Sequence, residues 1–404
     1  MKVLIVSNFY HPHVVGGAEK VAQSLAEGLL ARNHEAVVVT LSQDKHFTTD
    51  EVNGVRVYRL PLMNLYRLPV HNGQPAVVKA LWHTLDTHNP LMETSFRHVL
   101  ERERPEVLNT HNIAGFSSSI WGAGKKRHLP LVHTAHDYYL LCPPSTMLRN
   151  GKNCQDPCAD CAMFGWARRK ASRLVDVATA DSRYTLEEHL RRGYFPSAES
   201  TPIYNCCEVP ALDSNRSNRG NGPLRFGFLG RLDPAKGVDL LVRSFLELPR
   251  GEAEICLAGR GSPDYESKLK TMTEDRLEVR WLGYVSPDVL LRQVDVLVVP
   301  SLWNDSAPVV VLESMAYSVP LIGSRRGGIP ELMGEGTGWL FEPYEPNGLT
   351  QMMRNAIEAR DDLSGMRERA RERAGMFSTD AMVAGYLQAF SRALEKMKQA
   401  SRST

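Results

Sequence analysis

The chain has 404 residues, a formal net charge of +2, and 23% charged against 43% hydrophobic residues. That length exceeds one ordinary core and implies about two domains, and the balance excludes a disordered or fibrous chain. The near-neutral charge gives no case for nucleic acid, and seven cysteines in a large chain with no secretory leader point to reduced thiols rather than a disulfide framework.

Residues 2–8 read as a first strand, since Val3-Leu4-Ile5-Val6 follows Met1-Lys2 directly, without the leader and cleavage site of a signal peptide. No apolar run approaches the ~18–20 residues that span a bilayer, so a cytoplasmic location is expected. The basic clusters Lys125-Lys126-Arg127 and Arg168-Arg169-Lys170 fit either peripheral contact with an anionic membrane or a solvated helix face. Ala18, Val21, Ala22, Leu25 and Leu29 recur at helical spacing before a strand over 35–40, which makes a βαβ unit. Further buried strands are expected at 106–110, 130–134 and 175–180. Each leads into polar residues, where the carboxyl edge of a parallel sheet gathers its sites. Residues 208–223, rich in Pro, Asn, Ser and Gly, read as a linker between a domain over 1–207 and another over 224–378. Strands are expected in the latter at 224–229, 253–258, 277–282, 295–299 and 319–323. A last helix over 379–398, capped by Ser378 or Thr379, carries Met382, Val383, Tyr386, Leu387, Phe390, Leu394 and Met397 on one apolar face.

Gly16 and Gly17 stand just before the first helix, where backbone and free N–H groups can cradle phosphate or simply form a turn. The dinucleotide fingerprint is absent here, which counts against an NAD enzyme. In the second half, Gly230-Arg231 ends a strand and Lys236 follows five residues later; a guanidinium fork and a point charge can together neutralise a diphosphate, or be solvated. Further on, Asp305-Ser306-Ala307-Pro308 precedes a helical pattern containing Val309, Val310 and Glu313. Pro308 suits a first helical turn and leaves the amides of Val309 and Val310 to meet phosphate or ribose oxygens. Asp305 and Glu313 would put two acceptor carboxylates at one helix entrance. Cys142, Cys154, Cys158 and Cys161 form C-x11-C-x3-C-x2-C in a Pro- and Gly-rich loop, a spacing open to a structural zinc site or to ordinary thiols.

Gly16-Gly17-Ala18-Glu19, Gly230-Arg231 with Lys236-Gly237, Asp305 with Glu313, and Gly327-Gly328-Ile329-Pro330-Glu331, taken in this order from about residue 1 to 395, resemble family 4 of the retaining glycosyltransferases. The resemblance implies an α/β GT-B fold of two facing Rossmann-like domains with parallel sheets, and a C-terminal helix returning to the first domain. It implies a donor nucleotide-sugar held mainly by the second domain and a glycan or lipid-linked acceptor by the first. On this resemblance Arg231 and Lys236 hold the donor diphosphate, Glu313 the ribose, Gly17 a phosphate or sugar oxygen, and His136 sits beside the transferred sugar. Asn205 matches a hinge-side position. Asp305 replaces the family's usual Glu and is one methylene shorter; Cys206 replaces the glycine expected after Asn205. With no Asp-x-Asp pair in the chain, fixed cations rather than a catalytic metal would stabilise the departing diphosphate. The function expected is transfer of a hexose, most naturally from a UDP-sugar, in cell-surface polysaccharide assembly. A nucleotide-sugar epimerase of the same fold and a non-catalytic sugar-binding protein are the alternatives.

Overall fold

The computed structural model describes residues 1–13, 16–44, 46–66, 74–211 and 222–402. By packing, the chain falls into two compact units: Met1–Met147 with Gln155–Asn205 and Thr379–Thr404, and Leu148–Cys154 with Cys206–Ser378. The division between Asn205 and Cys206 falls at the residues read as hinge-side, while most of the linker expected at 208–223 lies outside the described residues. Leu148–Cys154 lies inside the range 1–207 assigned to the first domain, yet it packs with the second unit.

Strands β1 (Lys2–Val6), β2 (Glu35–Leu41), β3 (Thr48–Val52), β4 (Val55–Leu60), β5 (Val107–Thr110) and β6 (Leu131–Ala135) precede a hairpin of β7 (Leu148–Arg149) and β8 (Lys152–Asn153); β9 (Val177–Ala180) and β10 (Glu199–Pro202) follow. Apart from the hairpin they form one sheet, in the order β10-β9-β6-β5-β1-β2-β4-β3. Every pairing is parallel except that of β3 with β4. β1 and β2 are covered on both faces and therefore read as unbroken apolar runs rather than alternating ones. β3, Thr-Thr-Asp-Glu-Val, is an exposed edge whose charges discourage pairing with another chain. It turns into β4 through Asn53 (φ 50°) and Gly54 (φ 80°), the left-handed pair of a type I′ turn. That hairpin and β10 are absent from the strands expected from sequence; β3 and β10 are polar, whereas β4 buries Val55, Val57, Tyr58 and Leu60.

Helix Thr379–Arg402 packs on this first unit. Met382, Val383, Tyr386 and Phe390 are buried as its apolar stripe requires, and Tyr386 Oη donates to Thr134 Oγ1 at 3.2 Å. Gly28 on helix Gly17–Leu30 gives Val383 its room, since a Cβ there would lie 2.5 Å from Val383 Cγ2.

In the basic clusters Lys126, Arg169 and Lys170 are exposed, and Lys125 and Arg127 are half-buried. Lys125, Lys126 and Arg127 pair with Asp176, Glu93 and Glu101. Arg168, expected on a solvated face, is instead 1% exposed and bonded to Asp86. Among the described residues no helix is long and apolar enough to cross a membrane.

The base of this sheet holds a charge cluster with a pH signature. Glu103, at the end of helix Pro90–Glu103, takes Lys2 Nζ at 2.5 Å, Arg56 Nη1 at 3.0 Å and the Tyr58 hydroxyl. Burial alone would raise its carboxyl, but bonds from Lys2, Tyr58 and Arg56 prevail and hold it at about 2 against 4.5. A lowered folded-state value stabilises the fold above the unfolded value, and that stability is lost as pH falls from 4.5 toward 2. At about 1.4 kcal/mol per tenfold change in protonation, the cluster contributes about 3 kcal/mol at neutral pH. The expected result is that wild type loses stability more steeply than Glu103→Gln between pH 5 and 2, read from urea midpoints; parallel curves would remove Glu103 as the cause.

In the second unit β11 (Leu224–Leu229), β12 (Ala253–Ala258), β13 (Val279–Gly283), β14 (Val296–Val299), β15 (Leu321–Ser324) and β16 (Gly338–Phe341) form an all-parallel sheet in the order β13-β12-β11-β14-β15-β16. Phe226, Phe228, Val296, Val298 and Ile322 from its strands meet Leu241 and Phe245 from helix Val238–Leu246 in one core.

Candidate active site

In the second sheet β11 lies between β12 and β14, so the connections after β11 and β14 leave in opposite directions. A crevice opens at such a switch point on the carboxyl edge of the strands. The loop after β11 carries Arg231 and Lys236, and the loop after β14 carries Asp305 and Ser306. The two loops are tied together: Leu302 N and Trp303 N donate to Ala235 O at 2.8 and 3.3 Å. Gly237 (φ 71°) allows this approach, since a Cβ there would lie 2.0 Å from Pro300 O.

This packing joins residues 69 positions apart in sequence. Lys236 Nζ pairs with Asp305 Oδ2, Ser301 Oγ donates to the same oxygen at 3.1 Å, and the ammonium lies 5.3 Å from the centre of the Trp303 ring. The Asp305 side chain is 6% exposed. Its main-chain oxygen accepts from Gly328 N at 2.8 Å, and Gly327 (φ 56°) must be glycine because a Cβ would stand 1.9 Å from that oxygen. The Gly327-Gly328 motif is thus the cradle of Asp305.

The Arg231 side chain is 66% exposed, with Nε 3.3 Å from an Asp233 oxygen. Pro308 is the N-cap of helix Val309–Ala316 rather than part of its first turn, so Val309 and Val310 supply the opening amides that a helix cannot satisfy internally. Of the two carboxylates, Asp305 pairs with Lys236. Glu313, half-buried on the second turn, lies near Cys207, whose thiol is pushed up to about 12 by burial and then by Cys206 and Glu313.

The first sheet has its own switch point, between β1 and β5. Asn8 and Asn112 each follow their strand by two residues, and Asn8 N donates to Asn112 O at 2.9 Å. Both line a cavity of about 200 Å³ walled by Phe9, Trp82 and Tyr139 and reached by Asp137. Asn8 Oδ1 is buried there without a hydrogen-bond partner. Burial pushes the Asp137 carboxyl up to about 6 despite a bond from Tyr139 N.

His136, just after β6, stacks on His111 with ring centres 5.1 Å apart. Asn109 Oδ1 lies 2.8 Å from His111 Nε2, and His111 Nδ1 lies 2.8 Å from His136 Nε2. With Asn109 Oδ1 accepting, His111 carries its proton on Nε2 and accepts from His136 Nε2–H. Burial lowers His136 to about 4, so its ring is neutral at pH 7. Asn109 and His111 are missed by a reading of motifs; their signal is an Asn-x-His placed where β5 ends. Gly16 N donates to Glu19 Oε2 at 2.7 Å, so this amide caps its own helix, and Gly17 is the first helical residue.

Cys142, Cys158 and Cys161 belong to the first unit, and Cys154 ends the segment that packs with the second. Cys158 Sγ and Cys161 Sγ are 3.5 Å apart, and neighbouring Cys142 together with burial pushes the Cys161 thiol up. Among the described residues no three His, Cys, Asp or Glu side chains are grouped to hold a metal ion.

Residues 16–206 match the family model "Glycosyl transferase 4-like domain" and residues 212–373 match "Glycosyl transferases group 1". An uncharacterised 42.6 kDa protein of the cps region of Klebsiella pneumoniae is 30% identical over 82% of this chain and 87% of its own. Sucrose-phosphate synthase from Thermosynechococcus elongatus superposes with a TM-score of 0.76 at 17% identity, covering 98% of this chain and 99% of that one. Anabaena HepE in complex with UDP gives 0.72 at 18%, covering 97% and 100%. These solved structures show the fold alone: two Rossmann-like parallel sheets with a C-terminal helix, the GT-B architecture. The chain belongs to family 4 of the GT-B glycosyltransferases.

Proposed function

We propose that this glycosyltransferase moves a hexose from a UDP-sugar to a glycan or glycolipid acceptor with retention at the anomeric carbon and without a catalytic metal. The observation that carries the reading is the Lys236–Asp305 pair at the β11–β14 switch point, beside the opening amides of helix Val309–Ala316. An ammonium has three donors, so Lys236 can keep Asp305 and still offer N–H groups to a diphosphate. Exposed Arg231 would swing from Asp233 to the same group, and Glu313 would accept from ribose hydroxyls. Charge growing on the leaving diphosphate is then met by fixed cations and amides. Anabaena HepE, which shares the fold, is described in complexes with UDP and with UDP-glucose, which supports a uridine nucleotide here.

The acceptor fits the first-unit cavity: its aromatic wall suits the apolar face of a sugar ring, and Asn8, Asn112 and Asp137 suit its hydroxyls. Neutral His136 can donate or accept beside the transferred sugar. A place at the inner membrane face would follow from a lipid-linked acceptor rather than from the basic clusters.

Calorimetric titration with UDP, GDP, ADP and dTDP in a metal chelator tests the donor. One nucleotide binding at least tenfold more tightly than the rest, with that affinity reduced in Arg231→Ala, is expected. Binding that requires a divalent ion would reject the metal-free reading, and release of an isomerised donor without acceptor would favour an epimerase.

A further inference from the structure

We propose that the hairpin β7–β8 is a brace for the donor loop and that Asn153 is its positioning residue; the consequence for catalysis rests on the donor-site reading above. The hairpin lies in chain order between two segments of the first unit but packs with the second. Asn150 (φ 51°) and Gly151 (φ 72°) close it in the left-handed pair of a type I′ turn, which fixes the register of Leu148 with Asn153 and of Arg149 with Lys152.

The Asn153 side chain then acts as a short stand-in for a neighbouring strand. Its Nδ2 donates to Leu302 O at 2.8 Å, and its Oδ1 accepts from Asn304 N at 2.8 Å. An amide is needed for both: a carboxylate loses the donor, and alanine loses donor and acceptor together. On the other side, Leu302 N and Trp303 N are held by Ala235 O. The backbone of 302–304 is therefore gripped from two sides, immediately before Asp305 and around the Trp303 ring that faces Lys236. The turn reaches the same region by a second route. Gly151 O accepts from Tyr344 Oη at 2.8 Å, and the Tyr344 ring lies 5.0 Å from the Arg326 guanidinium, next to the Gly327-Gly328 cradle of Asp305.

Among the described residues the Asn153 side chain bonds the backbone of Leu302 and Asn304, not Lys236 or the Asp305 carboxylate. It acts through the loop, by holding in advance the geometry in which Asp305 and Lys236 meet the donor. Leu302 O and Asn304 N could bond water without Asn153, so the fold survives its loss, but the loop would no longer be confined to one conformation.

The test compares wild type, Asn153→Ala, Asn153→Asp and, as a control on the exposed neighbour, Lys152→Ala. Amide hydrogen exchange over 300–306 reads the brace without reference to activity, and steady-state transfer from the UDP-sugar reads its consequence. Asn153→Ala is expected to speed exchange at Asn304 about tenfold and to lower kcat/KM about tenfold, a change worth about 1.4 kcal/mol, with most of the loss in kcat. Asn153→Asp, which still accepts from Asn304 N, falls between, and Lys152→Ala matches wild type. Unchanged exchange in Asn153→Ala overturns the brace. Faster exchange with wild-type kcat and KM overturns its role in positioning. A wild-type chain that bound no nucleotide would remove the donor reading instead, and the exchange comparison would still decide whether Asn153 braces the loop.

Discussion

Lys236→Ala is expected to lower kcat for sugar transfer by roughly 100- to 1,000-fold, the cost of removing one fixed donor from a site where negative charge develops. The residue has two duties that must be separated. One, on the proposed function, is toward the donor diphosphate; the other is to neutralise Asp305, whose side chain is 6% exposed. Removing the cation alone leaves a buried carboxylate unpaired, which costs stability as well as activity. The double variant Lys236→Ala/Asp305→Asn removes that second penalty. Its thermal midpoint should recover toward wild type while transfer stays low. A double variant that regained transfer would show that Lys236 serves only to pair Asp305.

The second large effect lies in the first unit and concerns stability. Asp86 is fully buried and accepts from Gly115 N at 2.6 Å, from the Tyr139 hydroxyl, and from Arg168 Nη2 at 3.3 Å. Arg168 also donates to Tyr139 O at 2.7 Å and lies with its guanidinium 4.1 Å from the centre of the Tyr139 ring. Burial nonetheless pushes the Asp86 carboxyl up to about 6, because Arg168, Tyr139 and Gly115 only partly offset the loss of water. Breaking such a pair from one side costs about 3–5 kcal/mol, so Arg168→Ala should lower the thermal midpoint of the unit by about 10 °C. Arg168→Met with Asp86→Leu should recover most of it. If Arg168→Ala unfolds at the wild-type temperature, the pair contributes nothing net. Because Tyr139 and Trp82, from helix Ala76–Thr87, also wall the first-unit cavity, the single variant should weaken acceptor use as well.

Arg168 illustrates how local reading fails. In Arg168-Arg169-Lys170 three cations in a row look like one solvated face, yet helix Ala159–Ala171 turns Arg168 inward while Arg169 and Lys170 stay exposed. A run of charge says nothing about which member faces the core when a buried acid waits 82 positions away. The hairpins at Asn53-Gly54 and Asn150-Gly151 carry the Asn-Gly turn signal, but β3 is polar and β7 and β8 are two residues each, so only β4, with Val55, Val57 and Leu60, has an apolar pattern beside its turn.

What the sequence determined by itself is what lies within a few turns of chain. β1 and β2 with the helix between them, the apolar face of the last helix, and the order of motifs from Gly16-Gly17 to Gly327-Gly328 follow from local spacing of apolar residues and glycines, and they were enough to resemble the right family. Tertiary structure decided which of those residues meet. The order of parallel strands is set by non-local packing, and it places β14 beside β11, which brings Asp305 to Lys236 and leaves Arg231 with Asp233. The same cause lies behind the His136–His111–Asn109 relay, joined because β5 and β6 are neighbours. Asn153 has no signature beyond its Asn-Gly turn. Its role exists only because a hairpin from one half of the chain packs against a loop from the other, and long-range packing of that kind leaves no period in the sequence to read.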